Sequence, residues 1–242
     1  SPRQIYSYLK NYFSNRDLVK KKKFSALVTA GPTREYLDPV RYISNESSGK
    51  QGYEIALALS KLGIKTTLVA GPTSINFSKD IDVKNITSAD EMMDAVQKLL
   101  PVDVAVCAAA VADYKPQNKN KQKLKKNYHN QNVLKLEKNK DILEYIGKNN
   151  KLRPKLVVGF SAETENLIKN SIHKMSIKYC DMIIANDISK KETGFNVDYN
   201  KISIIEKNGK VENFPKNTKN FIAGKIAKRI VDKLLMNDKN TN

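Results

Sequence analysis

The chain is poor in the residues that build metal centres and covalent frameworks. Only two of its 242 residues are cysteine and two are histidine. Cys107 and Cys180 each lie in an apolar stretch, no Cys-x-x-Cys occurs, and His129 and His173 stand alone. That excludes a disulfide scaffold and a zinc site, and leaves two buried thiols in a reducing compartment. No apolar run approaches the roughly 18 residues of a membrane span, and the N-terminus lacks the charged-then-apolar order of a secretory leader. The expectation is therefore a soluble, cytoplasmic protein without a membrane partner.

Two nucleotide fingerprints are also missing. After the first apolar run, "AGPTRE" (30–35) supplies no G-x-G-x-x-G, which argues against a nicotinamide-dependent enzyme. In "VRYISNESSGKQGY" (40–53), Gly49-Lys50 is followed by Gln51 rather than Ser or Thr, and Ser44 stands where a P-loop needs its first glycine. Aromatic residues are only 7%, and no nucleic-acid motif accompanies the net charge of +18. The surplus lysines are spread along nearly the whole chain, so nucleic acid is an unlikely partner and the charge reads mainly as compositional bias.

What is present is a regular alternation. Residues 1–23 read as an amphipathic helix ("QIYSYLKNYF") followed by a basic linker at 20–23, and residues 24–242 as one domain. Because the chain begins with Ser rather than Met, a processed or excised piece is the expectation. "SALVTA" (25–30), "KTTLVAGPTS" (65–74), "VDVAVCAAAVADY" (102–114), "KLVVGFSAET" (155–164) and "DMIIANDIS" (181–189) are apolar strand-like runs. Between them, 52–63, 89–100 (with Ser88 as N-cap) and 166–180 carry helical spacing. Continuous apolar strands alternating with helices predict an α/β protein with a doubly wound, Rossmann-like parallel sheet. Asn208-Gly209 predicts a C-terminal β-hairpin, and Ile222, Ile226, Ile230 and Leu234 a closing helix over 218–236. The lysine-rich segment 115–132 reads either as a solvated loop or as a basic flap closing over phosphates.

Ligands of open α/β sheets bind beyond the carboxyl ends of the strands. Ser47, Ser48 and Gly49 fall there, at the mouth of a helix, as a phosphate cradle or as plain capping residues. The small side chains from Cys107 to Ala110 let a planar base approach the strand backbone, unless they only permit tight helix packing. Asp113 stands ready for a ribose hydroxyl or a metal-bound water. Lys174 and Lys178, four apart, share a helical face and either grip phosphates or point to solvent.

Taken together, "TAGPTREYLDPVRYISNESSGKQGYEIA" (29–56), "AAAVADY" (108–114), "KLKK" (123–126), "VGFSAET" (158–164) and "ANDIS" (185–189) closely resemble bacterial phosphopantothenoylcysteine synthetase, in order and with consistent spacing from about residue 24 onward. The resemblance implies a ligase that joins 4′-phosphopantothenate to L-cysteine with CTP and Mg²⁺ through an acyl-cytidylate. Lys123 would be the flap lysine that neutralises charge at the α-phosphate, Asn45 the residue needed for the acyl-cytidylate to react onward, and Arg41 a substrate-binding cation. Cys107, Ala108 and Ala109 would line the cytosine pocket, with Asp113 at the sugar or metal environment. Lys140, Asp141, Ile142, Leu143, Phe160, Lys174 and Lys178 would complete the nucleotide site, "NKDI" standing where family members carry "NPDI". Magnesium would arrive on the triphosphate, without direct side-chain ligation. The resemblance also implies a homodimer. Residues 1–23 would be the tail of an N-terminal decarboxylase half, the only part for which FMN is expected. The rival readings are a basic nucleotide- or nucleic-acid-binding α/β domain without ligase activity, and an ATP-using member of the same family.

Overall fold

The computed structural model describes residues 1–125, 133–189 and 197–239. The first helix, α1, runs Pro2–Lys22. The lysines at 20–23, expected as a linker, are therefore mostly its last turn. Lysine is a good helix former, and cations at the C-terminal end are favoured by the helix dipole. The turn to strand β1 (Ser25–Ala30) is made by Lys23 at φ 52°. Val19 is fully buried and Lys22 pairs with Asp238 at 2.6 Å, so α1 is docked at its end.

After β1 come two short strands, β2 (Arg34–Tyr36) and β3 (Tyr42–Ser44), which pair with each other antiparallel. Helix α2 (Lys50–Lys61), strand β4 (Lys65–Ala70), strand β5 (Asp82–Asn85) and helix α3 (Ala89–Leu99) follow. Ser88 caps α3 as expected, its Oγ accepting from the Glu91 N–H at 3.2 Å. The third apolar run is a strand only over β6 (Val104–Cys107). β7 (Tyr114–Pro116) and β8 (Leu136–Lys138) form a second small antiparallel pair, followed by the short helix α4 (Ile142–Lys148). The chain ends with β9 (Leu156–Glu163), α5 (Leu167–Ile177), β10 (Met182–Asp187), β11 (Tyr199–Glu206), β12 (Val211–Thr218) and α6 (Lys219–Lys239).

Eight of these strands make one sheet in the order β12-β11-β10-β9-β6-β1-β4-β5. Every pair from β10 to β5 is parallel, and the hairpin β11–β12 adds two antiparallel strands beyond β10. Gly209 closes that hairpin at φ 85°, as the Asn-Gly signal predicted. The doubly wound reading holds, and the hairpin is part of the main sheet rather than an appendage.

Alternation along the strands divides the core into two layers. Ala26, Val28 and Ala30 pack with Ile55 and Leu59 of α2 and Ile222, Ile226 and Ile230 of α6. Leu27 and Val69 face the other way, toward Met92 and Val96 of α3, Ile146 of α4 and Met175 of α5. From β1 the chain winds outward through β4 to β5, then returns to β6 on the opposite side and winds out to β10. The order reverses between β1 and β6, and at such a switch point the strand ends splay into a crevice. Among the described residues, no helix is long and apolar enough to cross a membrane.

Candidate functional site

The crevice is a cleft of about 920 Å³. Its floor is the ends of β1, β6 and β9, and its walls are the start of α2, the chain from Cys107 to Tyr114, and the turn leading into α4. The mouth of α2 is held close to β1 by glycine. A Cβ on Gly52 would sit 2.6 Å from the Ala30 Cβ, and Gly49, at φ 74°, packs on the backbone of Gly31. The helix begins at Lys50, directly after the predicted cradle, with Gly49 as its cap and no side chain in the usual capping role. Ser47 Oγ accepts from the Gly49 N–H at 3.2 Å, and Ser48 Oγ from Lys50 N–H at 3.4 Å. Ser47, Ser48 and Gly49 all line the cleft, where the positive end of the α2 dipole favours an anion.

Residues 108–113 run on past the end of β1 at Ala30, with a single parallel bridge between Pro32 and Ala110. They are held by main-chain and side-chain acceptors together. Thr29 O and Oγ1 accept from the N–H groups of Ala108 and Ala109, at 3.2 and 3.3 Å. Gly31 O accepts from Ala110 N–H at 2.9 Å, and Thr33 Oγ1 from Ala112 N–H at 3.0 Å. The expectation that main-chain groups here read a base narrows accordingly, because the N–H groups of Ala108, Ala109 and Ala110 are already engaged. Two asparagines fasten the same stretch from opposite sides. Asn45 Nδ2 donates to Val111 O at 3.0 Å, and Asn139 Nδ2 donates to Ala112 O at 2.8 Å. Asn45, Cys107, Ala108, Ala109 and Asp113 thus meet in one wall.

Lys140, Asp141, Ile142, Leu143, Phe160, Lys174 and Lys178 also line the cleft. Asp141 caps α4, its Oδ1 accepting from Glu144 N–H at 2.8 Å. Its other oxygen lies 3.0 Å from Lys178 Nζ, which also reaches Glu144 at 2.6 Å. Burial alone would lower the Lys178 pKa, but the hydrogen bonds it donates to Glu144 and Asp141 outweigh it and raise the pKa. Glu144, between Lys148 and Lys178, is held down to about 2. Burial pushes the Cys107 thiol far above its ordinary range, and Cys180 to about 12. Neither is a thiolate nucleophile at neutral pH.

Another part of the cleft was read only in part from the sequence, Lys50, Gln51 and Asn186 within quoted motifs and Asn200 and Lys219 not at all. Lys50, Gln51, Asn186, Asn200 and Lys219 line it. Lys219 is 4% exposed and opens α6. Burial lowers its pKa, and attraction to Asp198 does not make up the loss. Lys50 pairs with Asp198 at 2.5 Å. Asn200 Nδ2 donates to Gln51 Oε1 at 2.8 Å, and Gln51 Nε2 donates to Lys219 O at 3.3 Å. The Oδ1 atoms of Asn186 and Asn200 are buried and accept no hydrogen bond from the described residues, an arrangement that costs free energy until a donor arrives. The readable signal was Lys219 itself, a cation in the first turn of the helix predicted over 218–236, where the dipole disfavours it.

Arg41 and Lys123 are not among the residues lining the cleft. Lys123 is exposed. Arg41 Nε donates to Asp38 Oδ2 at 2.8 Å, and Arg41 Nη2 to Leu124 O at 2.9 Å. The expected flap is therefore partly a built element. It starts in β7, Asn120 N–H donates to Leu37 O at 2.9 Å, and Leu124 N–H donates to Asp38 Oδ2 at 3.2 Å. Lys126, His129 and the remainder of the flap to 132 lie outside the described residues.

A model of the DNA/pantothenate metabolism flavoprotein C-terminal domain family matches residues 21–234. The chain is 40% identical over 212 residues to the coenzyme A biosynthesis bifunctional protein CoaBC of Vibrio parahaemolyticus, covering 87% of this chain and 52% of that protein. It is 41% identical over 209 residues to the protein of the same name from Haemophilus influenzae, covering 86% and 51%. The chain spans about half the length of the curated relatives it matches. A crystal structure of the C-terminal domain of the coenzyme A biosynthesis bifunctional protein CoaBC superposes with a TM-score of 0.74 at 36% identity, covering 89% of this chain and 96% of that one.

Proposed function

The chain belongs to the DNA/pantothenate metabolism flavoprotein C-terminal domain family, and from that membership and the cleft we propose that it is a ligase of coenzyme A biosynthesis, joining 4′-phosphopantothenate to L-cysteine with CTP. The observation that carries the reading is the convergence of three distant stretches, 45–49, 107–113 and 140–143, on one cleft at the switch point of the sheet.

In the first half-reaction a carboxylate oxygen of phosphopantothenate attacks the α-phosphorus of CTP. The bond to the β-phosphate breaks, and pyrophosphate leaves. In the second, the cysteine amine attacks the acyl carbon, the bond to CMP breaks, and the amine loses a proton to give the amide. No protein nucleophile is required, and the raised pKa of Cys107 suits a residue that only shapes a wall. The chain's contribution is positioning and charge neutralisation. Cys107, Ala108 and Ala109 would receive the base. Asp141 and Lys178, with Lys174 and Lys140, would order the triphosphate, whose Mg²⁺ comes as part of the Mg–CTP substrate. Asp113 would contact the sugar or the water shell of that ion. Asn45, tied to the 110–111 carbonyls, would hold the acyl-phosphate carbon for attack. Lys123 would close from the flap onto the α-phosphate, and Arg41 would carry substrate from the adjoining turn. The unpaired amide oxygens of Asn186 and Asn200, with Lys219, suit the far end of the pantothenate chain and the incoming amine. A homodimer in the cytoplasm completes the reading, and any FMN would serve a decarboxylase half outside this chain.

The test is a mixture of protein, Mg²⁺, CTP and 4′-phosphopantothenate, with and without L-cysteine, followed for pyrophosphate and CMP. Cysteine-dependent CMP release with CTP preferred over ATP is expected. Absence of turnover with either nucleotide overturns the proposal. Asn45→Asp is expected to release pyrophosphate in a first turnover while the acyl-cytidylate accumulates, and normal amide formation would leave Asn45 a purely structural residue.

A further inference from the structure

One buried acid near the cleft does no work in the mechanism above. The Asp38 side chain is wholly buried. It sits in the turn between β2 and β3, which closes on itself as Leu37 N–H donates to Arg41 O at 2.9 Å. Oδ1 accepts from the N–H groups of Val40 and Arg41, both at 2.9 Å, and this fixes the turn. Oδ2 faces away from the turn and takes three donors, Arg41 Nε, Arg41 Nη2 and the Leu124 N–H. Arg41 Nη2 also donates to Leu124 O. The peptide groups on both sides of Leu124 are therefore gripped at once, one by the carboxylate and one by the guanidinium that the carboxylate holds. Leu124 is 86 residues away in sequence and adjoins Lys123.

We propose that Asp38 is a positioning residue, a clamp that ties the flap backbone at Leu124 to Arg41 and thereby sets where Lys123 stands at the cleft. The inference rests on the ligase reading for what Lys123 does, but the clamp itself is geometry. A turn that only needed closing is served by Oδ1 alone. The second oxygen is spent on the guanidinium and on a segment distant in sequence, and a buried carboxylate gives up that much hydration only against charged and main-chain donors. The guanidinium next to it holds the carboxyl well below the usual carboxylate range, which favours the charged form of the clamp. The arrangement also accounts for Arg41 lying outside the cleft lining while being four residues from Asn45. The clamp joins the flap to the same short strand that delivers Asn45, so the two catalytic candidates share one mechanical support.

Asp38→Asn is the decisive variant, because it keeps size while turning one acceptor into a donor that faces donors. Two measurements read it. In limited trypsin digestion, cleavage after Lys123 and Lys125 is expected to accelerate about ten-fold, while cleavage in the β11–β12 turn after Lys207 stays unchanged. Equal acceleration at both places, or none at either, overturns the clamp. In single-turnover pyrophosphate release, Asp38→Asn and Lys123→Gln are each expected to lose at least about ten-fold, and the double variant to be no more than about two-fold slower than Lys123→Gln, since residues acting through one another are non-additive. A double loss equal to the product of the single losses overturns the positioning role. A Lys123→Gln protein as fast as the parent would refute the role given to Lys123 in the ligase reading, and the proteolysis result would still decide the clamp.

Discussion

Two lysines at opposite ends of the same cleft carry opposite electrostatics. Both lose hydration on folding, yet Lys178 ends with a raised pKa and Lys219 with a lowered one. The difference lies in the neighbours. Lys178 stands between the carboxylates of Asp141 and Glu144, which together more than repay its burial. Lys219 is more deeply buried, begins a helix whose dipole opposes it, and shares Asp198 with Lys50. A cation whose environment already satisfies it is a structural member that a ligand must compete for. A cation whose burial outweighs the attraction of its neighbours gains more from a further negative charge. On the ligase reading, the Lys219 end would meet an anionic group of a substrate through its charge, and at the Lys178 end the lysine and Asp141 would order the triphosphate together.

The comparison breaks most visibly if both lysines are replaced by methionine. Lys219→Met is expected to lose about 100-fold or more in kcat/KM, the scale of removing a charge that meets an anionic reactant. Its melting temperature should hold or rise, since a buried, poorly compensated charge gives way to an apolar chain of similar volume. Lys178→Met should lose only about 10-fold in activity and melt lower, because Asp141 and Glu144 are left facing each other. Activity assays with the two variants, paired with calorimetry, read both quantities. Equal losses with equal melting shifts would erase the distinction.

The Lys219 end also depends on where α2 begins, and Gly52 sets that. A Cβ there meets the Ala30 Cβ at 2.6 Å and the Thr29 carbonyl oxygen at 3.1 Å, both on a central strand that cannot retreat. Gly52→Ala should therefore cost about 1–3 kcal/mol as overpacking, roughly 3–10 °C of Tm in a domain of this size. It should raise KM for the anionic substrate more than it lowers kcat, as the helix mouth lifts from the floor. An unchanged Tm would mean that α2 is free to shift and that its mouth is not held in place by packing.

How much of this was legible in the sequence follows from the length and polarity of each element. The central strands announced themselves as continuous apolar runs because both faces of the sheet are covered. The pairs β2–β3 and β7–β8 did not, because each strand has only three residues and none is a continuous apolar run. β5, "DVKN", is an exposed edge whose polarity keeps it from pairing further and also hides it. The walls of the cleft were legible as motifs, since Ser47 to Gly49, Cys107 to Ala109 and Lys140 to Leu143 are contiguous. Asn200 and Lys219 were not, because each comes from a different element and only the sheet order brings them beside Asn186. For Arg41, a substrate role was read from its neighbours in the motif. The spacing Asp38-x-x-Arg41 was equally visible, but nothing in sequence ties it to Leu124.

The finest test of the comparison is titration of the Lys178 end. Glu144 sits at about 2 because Lys148 and Lys178 both hold its ionised form. A carboxyl with a depressed folded pKa contributes stability that is complete above its unfolded value. That contribution is lost as pH falls toward the folded one. The window here runs from about pH 4.5 down to about 2. Glu144→Gln cannot titrate, so the melting temperature of the parent should exceed that of the variant by a constant small margin above pH 4.5, and the margin should close as pH approaches 2. The effect is small because the ion pair between Glu144 and Lys148 is largely solvated, and it should shrink further in high salt. Asp141 remains beside Lys178 in the variant, so ligand binding at pH 7 should change little. A margin that persists unchanged to pH 2 would mean the stabilising partner of Lys178 is Asp141 alone, and would move the anchor of this end of the cleft from the body of α4 to its capping residue.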